Sequence, residues 1–248
     1  MTLEQFFAEN REVAVAFSGG VDSAYLLYAA TRYAARVKAY YVSTAFQPAF
    51  ELKDARRLAN ELGADMQVLH VDVLMSGAVV ANPPDRCYHC KNTLFRQILR
   101  AAENDGFPVL LDGTNASDDA GDRPGMRALR ELSVRSPLRE CGLTKAEIRR
   151  LSREAGLFTW DKPAYACLAT RIRTGEEITL QKLKQTEKAE GFLFGLGFRD
   201  FRVRMVGNTA KLELREADLP LLLENREKIV TELRKDYDSV LLNLEVRK

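Results

Sequence analysis

A strand-to-helix junction near the N-terminus constrains this chain most. An apolar run at residues 13–17 leads into SGGVDS at residues 18–23, and a helical pattern continues to residue 33. Gly19 and Gly20 permit backbone angles closed to other residues and let a ligand approach the main chain. Successive N–H groups in such a turn, with the positive end of the helix behind them, bind an anion. The junction therefore predicts a phosphate-binding loop, to which Ser18 and Ser23 add hydroxyl donors.

This loop differs from the Walker phosphate loop, because the Gly-Lys-Ser/Thr ending is missing. Asp22 stands where a carboxylate can hold Mg²⁺ beside the phosphates. An ordinary glycine-rich turn is the alternative. The apolar strand before the loop and the helix after it favour nucleotide chemistry.

SGGVDS resembles the PP-loop signature, SGGxDS, of the ATP pyrophosphatase (adenine nucleotide α-hydrolase) family. The resemblance implies that ATP is cleaved between its α- and β-phosphates with Mg²⁺ present. It also implies that the loop holds the departing pyrophosphate, which assigns ATP binding to Ser18, Gly19, Gly20, Asp22 and Ser23.

The composition limits the classes of function. The 248 residues include 37 basic and 35 acidic side chains, a net charge of +2, which argues against a general binder of DNA or RNA. No apolar run approaches the ~20 residues of a membrane span, and no signal-peptide pattern is present, so a cytoplasmic protein without membrane contact is expected. In that compartment the four cysteines are expected as thiols, metal ligands or catalysts.

The order of elements predicts an α/β fold with a doubly wound parallel sheet. Strand patterns at residues 13–17, 37–42, 66–71 and 109–112 alternate with helical patterns at 22–33, 51–62 and 92–104. Ligands in such sheets bind beyond the carboxyl ends of the strands, so Gly113 and Thr114 are expected to face the nucleotide with the 18–23 loop. A capping box at Thr144 and Glu147 predicts a helix ending near Gly156.

The C-terminal third has a different pattern. After an ordered loop at 159–178, we expect a helix at 180–196, strands at 201–205 and 210–214, a helix at 219–235 and a strand at 240–246. The chain is therefore predicted to contain a PP-loop domain at 1–176 and a small α-β-β-α-β module at 177–248. This module is expected to bind substrate and to mediate self-association into a homo-oligomer.

Three cysteines have the spacing of a metal site. Cys87 and Cys90 open a helix, and Cys167 lies far away in the long loop. Three thiolates that hold a [4Fe–4S] cluster leave one iron open to another ligand, whereas structural zinc takes four closed ligands. Zinc with His89 as a fourth ligand, and a metal-free dithiol pair, remain alternatives. Cys141 is expected to be a small structural residue.

Several longer motifs resemble the LarE sulfur transferases, and the likeness runs from about residue 13 to the C-terminus. They are RCYHCKNTLF, LDGTNASDD, DRPG, TWDKPAYACLATRIRTGEEIT and GF-x3-RVR. The resemblance implies that a carboxylate of a pyridinium mononucleotide is adenylated and converted to a thiocarboxylate, a precursor of the nickel-pincer nucleotide. Some members of that family use only the cysteine matching Cys167, whose own sulfur is given up. Others hold a [4Fe–4S] cluster at positions matching Cys87, Cys90 and Cys167, and this chain is expected to be of that kind, with Cys167 catalytic.

Two arginines on one strand predict an anion site. Arg202 and Arg204 alternate, so their side chains share a face and can grasp a phosphate. Salt bridges to Glu213 or Glu190 on a solvated strand face are the alternative. Arg123 is expected on a rigid turn near the nucleotide. The family resemblance implies a substrate site at Glu190, Arg202 and Arg204, with Thr170 and Arg171 near Cys167.

The sequence therefore predicts an ATP-dependent sulfur transferase that takes a small nucleotide substrate and supplies a downstream nickel-inserting enzyme. A tRNA-thiolating or amidating PP-loop enzyme is the alternative within the superfamily. Such a tRNA enzyme needs a broad basic surface that a +2 chain does not suggest. Nucleotide sensing without catalysis is a third hypothesis, and pyrophosphate release separates it from the other two.

Overall fold

A computed structural model describes residues 1–118 and 124–247. The chain folds into two compact units, the first made of Met1–Val73 with Asp85–Lys162 and the second of Leu74–Pro84 with Pro163–Lys248. The division into functional domains at residue 176 stays a prediction. The expected turn at Arg123 lies outside the described residues.

Helices and strands alternate through the first unit. The strands of the whole described chain are β1 (Glu12–Ala16), β2 (Arg36–Ser43), β3 (Asp65–His70), β4 (Val109–Leu111), β5 (Arg202–Val206), β6 (Thr209–Glu213) and β7 (Ser239–Leu242). The α-helices are α1 (Leu3–Glu9), α2 (Val21–Tyr33), α3 (Ala49–Glu61), α4 (Gly77–Val80), α5 (Arg86–Asn104), α6 (Pro124–Glu131), α7 (Pro137–Glu140), α8 (Lys145–Glu154), α9 (Leu180–Gly195), α10 (Leu219–Glu224) and α11 (Arg226–Leu233).

The first unit is built on a parallel sheet in the order β3-β2-β1-β4. The α/β fold class predicted from the sequence is confirmed, and the four strands lie where the apolar runs placed them. Because the strand order reverses beside β1, the loops after β1 and β4 leave the sheet on either side of a crevice. A parallel bridge between Leu111 and Arg135 extends the β4 edge.

Both faces of the sheet are covered, as the unbroken apolar strands require. In β1 the side chains of Val13 and Val15 pack in a core cluster with α1, α2 and α8. Ala14 points to the other face, where it belongs to a second cluster with Tyr40 of β2 and Ile98 of α5. The period of two along β1 therefore feeds two separate cores, one on each side of the sheet.

The predicted capping box at the start of α8 is confirmed. Thr144 Oγ1 accepts a hydrogen bond from the Glu147 backbone N–H (3.3 Å), and Glu147 Oε2 accepts one from the Thr144 N–H (2.9 Å). The helix stops at Glu154, and Gly156 follows with a φ of +71°, a conformation that favours glycine. This reciprocal cap fixes where Lys145, the first residue of α8, stands.

The second unit contains a three-stranded mixed sheet in the order β5-β6-β7, with β5 antiparallel and β7 parallel to β6. The single helix expected at 219–235 is wrong, because the chain forms α10 and α11 with a break at Asn225. The Asn225 side-chain amide donates to the Leu221 carbonyl at 3.0 Å, and such side-chain-to-backbone bonds compete with the helix. The last strand ends at Leu242, earlier than expected.

Most of the long loop expected at 159–178, residues 163–178, belongs to the second unit and is held by contacts with residues 74–84 of that unit. The Gly175 N–H donates to the Asn82 carbonyl (2.8 Å), and the Asn82 amide donates to the Arg173 carbonyl (2.9 Å). Within the loop, Leu168–Arg171 form a 3₁₀ turn directly after Cys167. In the part of the chain that the structure describes, no helix is long and apolar enough to cross a bilayer.

Candidate functional site

The loop between β1 and α2 is braced by its two serines. Ser18 Oγ and Ser23 Oγ lie 3.0 Å apart, and Ser23 Oγ also donates to the Gly20 carbonyl at 3.2 Å. Gly19 has a φ of +74°, and a side chain there would also meet Ala55 Cβ of α3 at 3.3 Å. Gly20 is the N-cap of α2 and contributes no side-chain cap, so the N–H groups of the first turn point toward the loop opening.

The loop after β4 packs directly onto the loop at residues 18–23. A Cβ added to Gly113 would lie 2.9 Å from the Ser23 backbone nitrogen and 3.2 Å from Ser23 Cα. Because both contacts are to backbone atoms, the site can accommodate only glycine without displacing α2. The structure thus places Gly113 against the loop, where the sequence predicted it.

The Thr114 side chain forms a hydrogen bond within the same turn. Its hydroxyl donates to Asp112 Oδ2 at 2.5 Å, and Ser136 Oγ donates to Asp112 Oδ1 at 2.6 Å. Thr114 and Asp112 are both buried. The threonine hydroxyl therefore holds the turn in shape, while a nucleotide contact from Thr114 stays a prediction.

Asp22 is engaged by two donors from distant parts of the first unit. Lys145 Nζ lies 2.5 Å from Asp22 Oδ2, and Asn115 Nδ2 donates to Asp22 Oδ1 at 3.2 Å. The side chains of Asp22 and Lys145 are 24% and 34% exposed. An ion pair exposed to that extent contributes ~0–1 kcal/mol, so another cation can replace the lysine at little cost.

A second lysine reaches the same loop. Lys162 Nζ forms an ion pair with Asp54 Oδ2 (2.8 Å) and lies 3.4 Å from the Gly19 carbonyl oxygen. The segment that carries it is held by Arg149 of α8, which donates to the carbonyls of Trp160 (2.7 Å) and Lys162 (2.9 Å). Sequence reasoning missed both Lys145 and Lys162 as site residues, because no local pattern connects them to the loop.

An apolar pocket opens beside Ser18 at the carboxyl ends of β1 and β2. It has a volume of about 130 Å³, and its lining includes Phe17, Tyr41, Val42 and Phe95. The lining is mostly aromatic and aliphatic, so the pocket suits a flat ring more than a charged group.

Cys87 and Cys90 lie in the first turn of α5, three residues apart on one helix face. The buried Arg86 guanidinium lies 3.7 Å from Cys87 Sγ. His89, the alternative zinc ligand, has its Nε2 3.3 Å from Asp85 Oδ2. None of the four cysteines, all within the described residues, forms a disulfide.

Cys87 and Cys90 are candidate metal ligands. Two thiolates on one helix face have the donor chemistry that zinc or an iron–sulfur group takes. Within residues 1–118 and 124–247, however, no three His, Cys, Asp or Glu side chains are grouped to hold a metal ion. Cys87 and Cys90 belong to the first unit and Cys167 to the second. Cys87 and Cys90 therefore share one helix face, and joint ligation with Cys167 stays a prediction.

In the second unit, a buried ion pair organises the turn after Cys167. Arg171 Nε and Nη2 donate to the two carboxylate oxygens of Glu190 at 2.8 and 3.0 Å. Burial alone would lower the pKa of Arg171, but the hydrogen bonds from its guanidinium to Glu190 raise it overall, so the charged form is favoured. Arg171 Nη1 also donates to the Ala166 carbonyl (2.8 Å) and to Thr170 Oγ1 (2.9 Å).

Glu190 is fully occupied by protein donors. Besides Arg171, its carboxylate accepts the Val203 N–H at 2.9 Å and the Tyr165 hydroxyl. Glu190 is 1% exposed. Its two oxygens thus join α9, β5 and the turn after Cys167, and a direct substrate contact from Glu190 stays a prediction.

Arg202 and Arg204 both contact backbone carbonyls of the 163–171 segment. Arg202 Nη2 donates to the Ala164 carbonyl (2.5 Å), and Arg204 Nη1 donates to the Thr170 carbonyl (2.6 Å). Burial, with help from the nearby positive charges of Arg171 and Arg247, lowers the pKa of Arg202. The two arginines therefore share one strand face, as their spacing requires, and that face lies against the segment that carries Cys167.

Arg204 also pairs across the sheet, as the alternative interpretation of the sequence expected. Its Nε lies 2.8 Å from Glu213 Oε2, and Lys211 Nζ lies 3.3 Å from Glu213 Oε1. Burial opposes ionisation of Glu213, but hydrogen bonds from Arg204 and Lys211 lower its pKa overall. A cleft of about 340 Å³ in the same unit has four cations among its lining residues, Arg171, Arg173, Arg204 and Lys211.

Comparison with known proteins identifies related sequences. The Asparagine synthase family matches residues 4–118, which include the whole sheet and the loop at 18–23. A pyridinium-3,5-bisthiocarboxylic acid mononucleotide synthase of Lactiplantibacillus plantarum is 33% identical over 235 residues, which cover 94% of this chain and 85% of that protein. An uncharacterized protein of Synechocystis sp. is 38% identical over 215 residues, or 86% of this chain and 80% of the relative.

A more distant match is the tRNA-specific 2-thiouridylase MnmA of Thermotoga petrophila, 27% identical over 59% of this chain and 52% of that protein. These matches, together with the parallel sheet and its glycine-serine loop at the switch point, define an enzyme of the PP-loop ATP pyrophosphatase class. Within that class the chain belongs to the LarE family of ATP-dependent sulfur transferases.

Proposed function

We propose that this enzyme uses ATP to adenylate a carboxylate of pyridinium-3,5-dicarboxylate mononucleotide and converts it to a thiocarboxylate, for the nickel-pincer nucleotide. The proposal rests chiefly on the serine-braced loop at 18–23, against which Gly113 packs at backbone distance. Its substrate is inferred from the L. plantarum relative, whose match extends through both units.

ATP binding follows from the first unit. The N–H groups of the loop and of the first turn of α2 hold the β- and γ-phosphates, and the apolar pocket beside Ser18 takes the adenine ring. Asp22 would hold Mg²⁺ in place of Lys145, and the ion would neutralise phosphate charge. A substrate carboxylate oxygen attacks the α-phosphorus, the bond to the β-phosphate oxygen breaks, and pyrophosphate departs into the loop. Positioning and charge neutralisation supply most of the acceleration.

The sulfur donor is proposed from the thiols. Cys87, Cys90 and Cys167 would hold a [4Fe–4S] cluster, which when bound supplies a sulfide to the activated carboxylate. Cys87 and Cys90 suit this role by their shared helix face. In the form that gives up the Cys167 sulfur, the Cys167 thiolate displaces AMP as the carbon–sulfur bond forms. The Cβ–S bond of Cys167 then breaks with loss of its α-proton, which leaves dehydroalanine. In the cluster form, AMP would likewise leave as the bond to sulfide forms.

Substrate binding is proposed for the second unit. The cleft beside Arg204 carries excess positive charge, which suits the phosphate of a mononucleotide. Glu190 contributes by holding Arg171, and Arg171 in turn holds the carbonyl of Ala166 beside Cys167. The module at 177–248 would also mediate homo-oligomer formation. The enzyme would work in the cytoplasm, where thiols stay reduced, and supply a nickel-inserting enzyme.

The test is an anaerobic reaction of ATP, Mg²⁺, the pyridinium substrate and the iron-reconstituted enzyme. The products expected are AMP, pyrophosphate and a substrate whose mass shows exchange of oxygen for sulfur. Asp22→Asn should abolish AMP formation, whereas Asp65→Asn, on an exposed carboxylate of β3, should not. Thiolation of tRNA in place of the small substrate would overturn the proposal in favour of the MnmA-like activity.

A further inference from the structure

The phosphate loop has no cation of its own. Residues 18–23 contain no lysine or arginine, and their one charged side chain is the Asp22 carboxylate. A nucleoside triphosphate carries several negative charges. Charge neutralisation at the departing pyrophosphate must therefore come from elsewhere in the fold. Two lysines touch the loop at its opposite ends: Lys145 at the Asp22 carboxylate and Lys162 at the Gly19 carbonyl.

We propose that Lys145 and Lys162 are the cations of the phosphate loop, and that α8 is the platform that positions both. This inference rests on the proposed ATP cleavage. Each ammonium is held by a carboxylate, Lys145 by Asp22 and Lys162 by Asp54. With Mg²⁺ held at Asp22, Lys145 would be free to contact the phosphates, while Lys162 would need only a short movement from Asp54.

Lys145 is held in place by its helix. It is the first residue of α8, behind the Thr144 capping box, and its backbone N–H donates to Ser117 Oγ at 2.9 Å. The neighbouring Ala116 N–H donates to the Leu143 carbonyl at 2.8 Å. The start of α8 is therefore tied to the same turn whose Asn115 contacts Asp22.

Helix α8 positions Lys162 indirectly, through a hydrogen bond from Arg149 to the Lys162 backbone. Arg149, one turn along the helix, donates through both terminal nitrogens to the carbonyls of Trp160 and Lys162. The Lys162 side chain is 15% exposed, and its ammonium lies 5.6 Å from the centre of the Phe50 ring. Because the Lys162 side chain is largely buried, few other conformations are open to it. Its ammonium is therefore directed at the loop.

The experiment is calorimetric titration of the full-length enzyme with α,β-methylene-ATP and Mg²⁺, which needs neither acceptor nor cluster. Lys145→Met and Lys162→Met are each expected to weaken binding about ten-fold or more, the effect of one lost hydrogen bond to a charged group. Lys145→Arg and Lys162→Arg keep the charge and should stay much closer to wild type. The control is Lys188→Met, which removes a lysine paired with Asp236 in the second unit and should bind as wild type.

A Mg²⁺ titration separates positioning from general damage to the fold. Because Lys145 competes with Mg²⁺ for Asp22, Lys145→Met should reach half-maximal pyrophosphate release at a lower Mg²⁺ concentration while its maximal rate falls. Lys162→Met should lower the rate without moving that midpoint.

Unchanged analogue affinity in both methionine variants would overturn the inference and leave ATP cleavage standing. Wild-type enzyme that binds the analogue but releases no pyrophosphate with the acceptor would overturn the proposed function, while the lysines would still be judged on binding. A wild-type enzyme that binds no analogue would overturn both.

Discussion

Arg171 and Glu190 form an ion pair with both side chains essentially out of contact with water, 0% and 1% exposed. Two parallel hydrogen bonds of 2.8 and 3.0 Å join the guanidinium to the carboxylate. Because Arg171 also binds the Ala166 carbonyl, this pair fixes the backbone around Cys167. The turn that follows Cys167 is thereby supported by α9.

Glu190→Gln should destabilise the second unit by about 3–5 kcal/mol, because it leaves a buried guanidinium without its counter-ion. The loss is measured by urea unfolding, and by faster hydrogen exchange of the Val203 amide, which donates to Glu190. Glu154→Gln is the matched control, since the Arg150–Glu154 pair has a similar distance of 2.7 Å but is more than half exposed. The control should change stability by ~0.5 kcal/mol or less. Equal effects in the two variants would contradict the role given to the buried pair.

Gly113→Ala should destabilise the first unit by about 1–3 kcal/mol and weaken nucleotide binding, because its methyl group would press on the Ser23 backbone at 2.9 Å. Thermal unfolding and analogue titration measure the two effects. Gly191→Ala, at an exposed position of α9 with open space around it, should instead stabilise by ~0.5–1 kcal/mol. A Gly113→Ala enzyme with wild-type affinity would show that the two loops are not rigidly packed.

Anaerobic reconstitution should load about four irons per chain, the content of a [4Fe–4S] cluster. Cys87→Ser, Cys90→Ser and Cys167→Ser should each lose most of this iron, while Cys141→Ser should keep it. Burial raises the pKa of Cys141, which disfavours the thiolate that a metal requires, so this thiol is a suitable control. Full iron content in Cys167→Ser, or stoichiometric zinc in the wild type, would contradict the three-thiol proposal.

The buried hydroxyl of Tyr41 is expected to make the protein less stable at high pH. Burial raises the pKa of Tyr41, and the carboxylates of Glu51 and Asp54 raise it further. Its contribution to stability is therefore complete below the unfolded pKa of about 10 and is lost as pH rises from there toward the folded pKa. In urea unfolding between pH 9 and 11, Tyr41→Phe should lose less stability than wild type. Tyr33→Phe, at an exposed position, should follow wild type, and identical slopes for Tyr41→Phe and wild type would refute the assignment.

The fold was predictable where the signal was local. Val13, Ala14 and Val15 are buried on both faces of β1, so the strand appears in the sequence as an unbroken apolar run. The capping box at Thr144 is equally local. The break at Asn225 was missed, because the apolar pattern continues across it and only the side-chain bond to Leu221 reveals it.

The site was predictable only in part. The SGGVDS motif identifies the loop from local sequence alone. The two-residue spacing of Arg202 and Arg204 predicts that they share one face of a strand. The contacts of Lys145 with Asp22 and of Lys162 with Gly19 span 123 and 143 residues, and no pattern in the sequence connects them. Tertiary structure brings these charges together, and sequence periodicity carries no signal of such contacts. Only the three-dimensional structure therefore identifies the two lysines as site residues.

The central claim is that the loop at 18–23 directs ATP cleavage between the α- and β-phosphates onto a carboxylate. The most direct measurement follows α-³²P-ATP and pyrophosphate in single turnover with the pyridinium dicarboxylate mononucleotide. The account predicts labelled AMP, transiently joined to the substrate, and one pyrophosphate for each AMP, both lost in Asp22→Asn. Formation of ADP and inorganic phosphate, or AMP formation that does not depend on the carboxylate substrate, would contradict it.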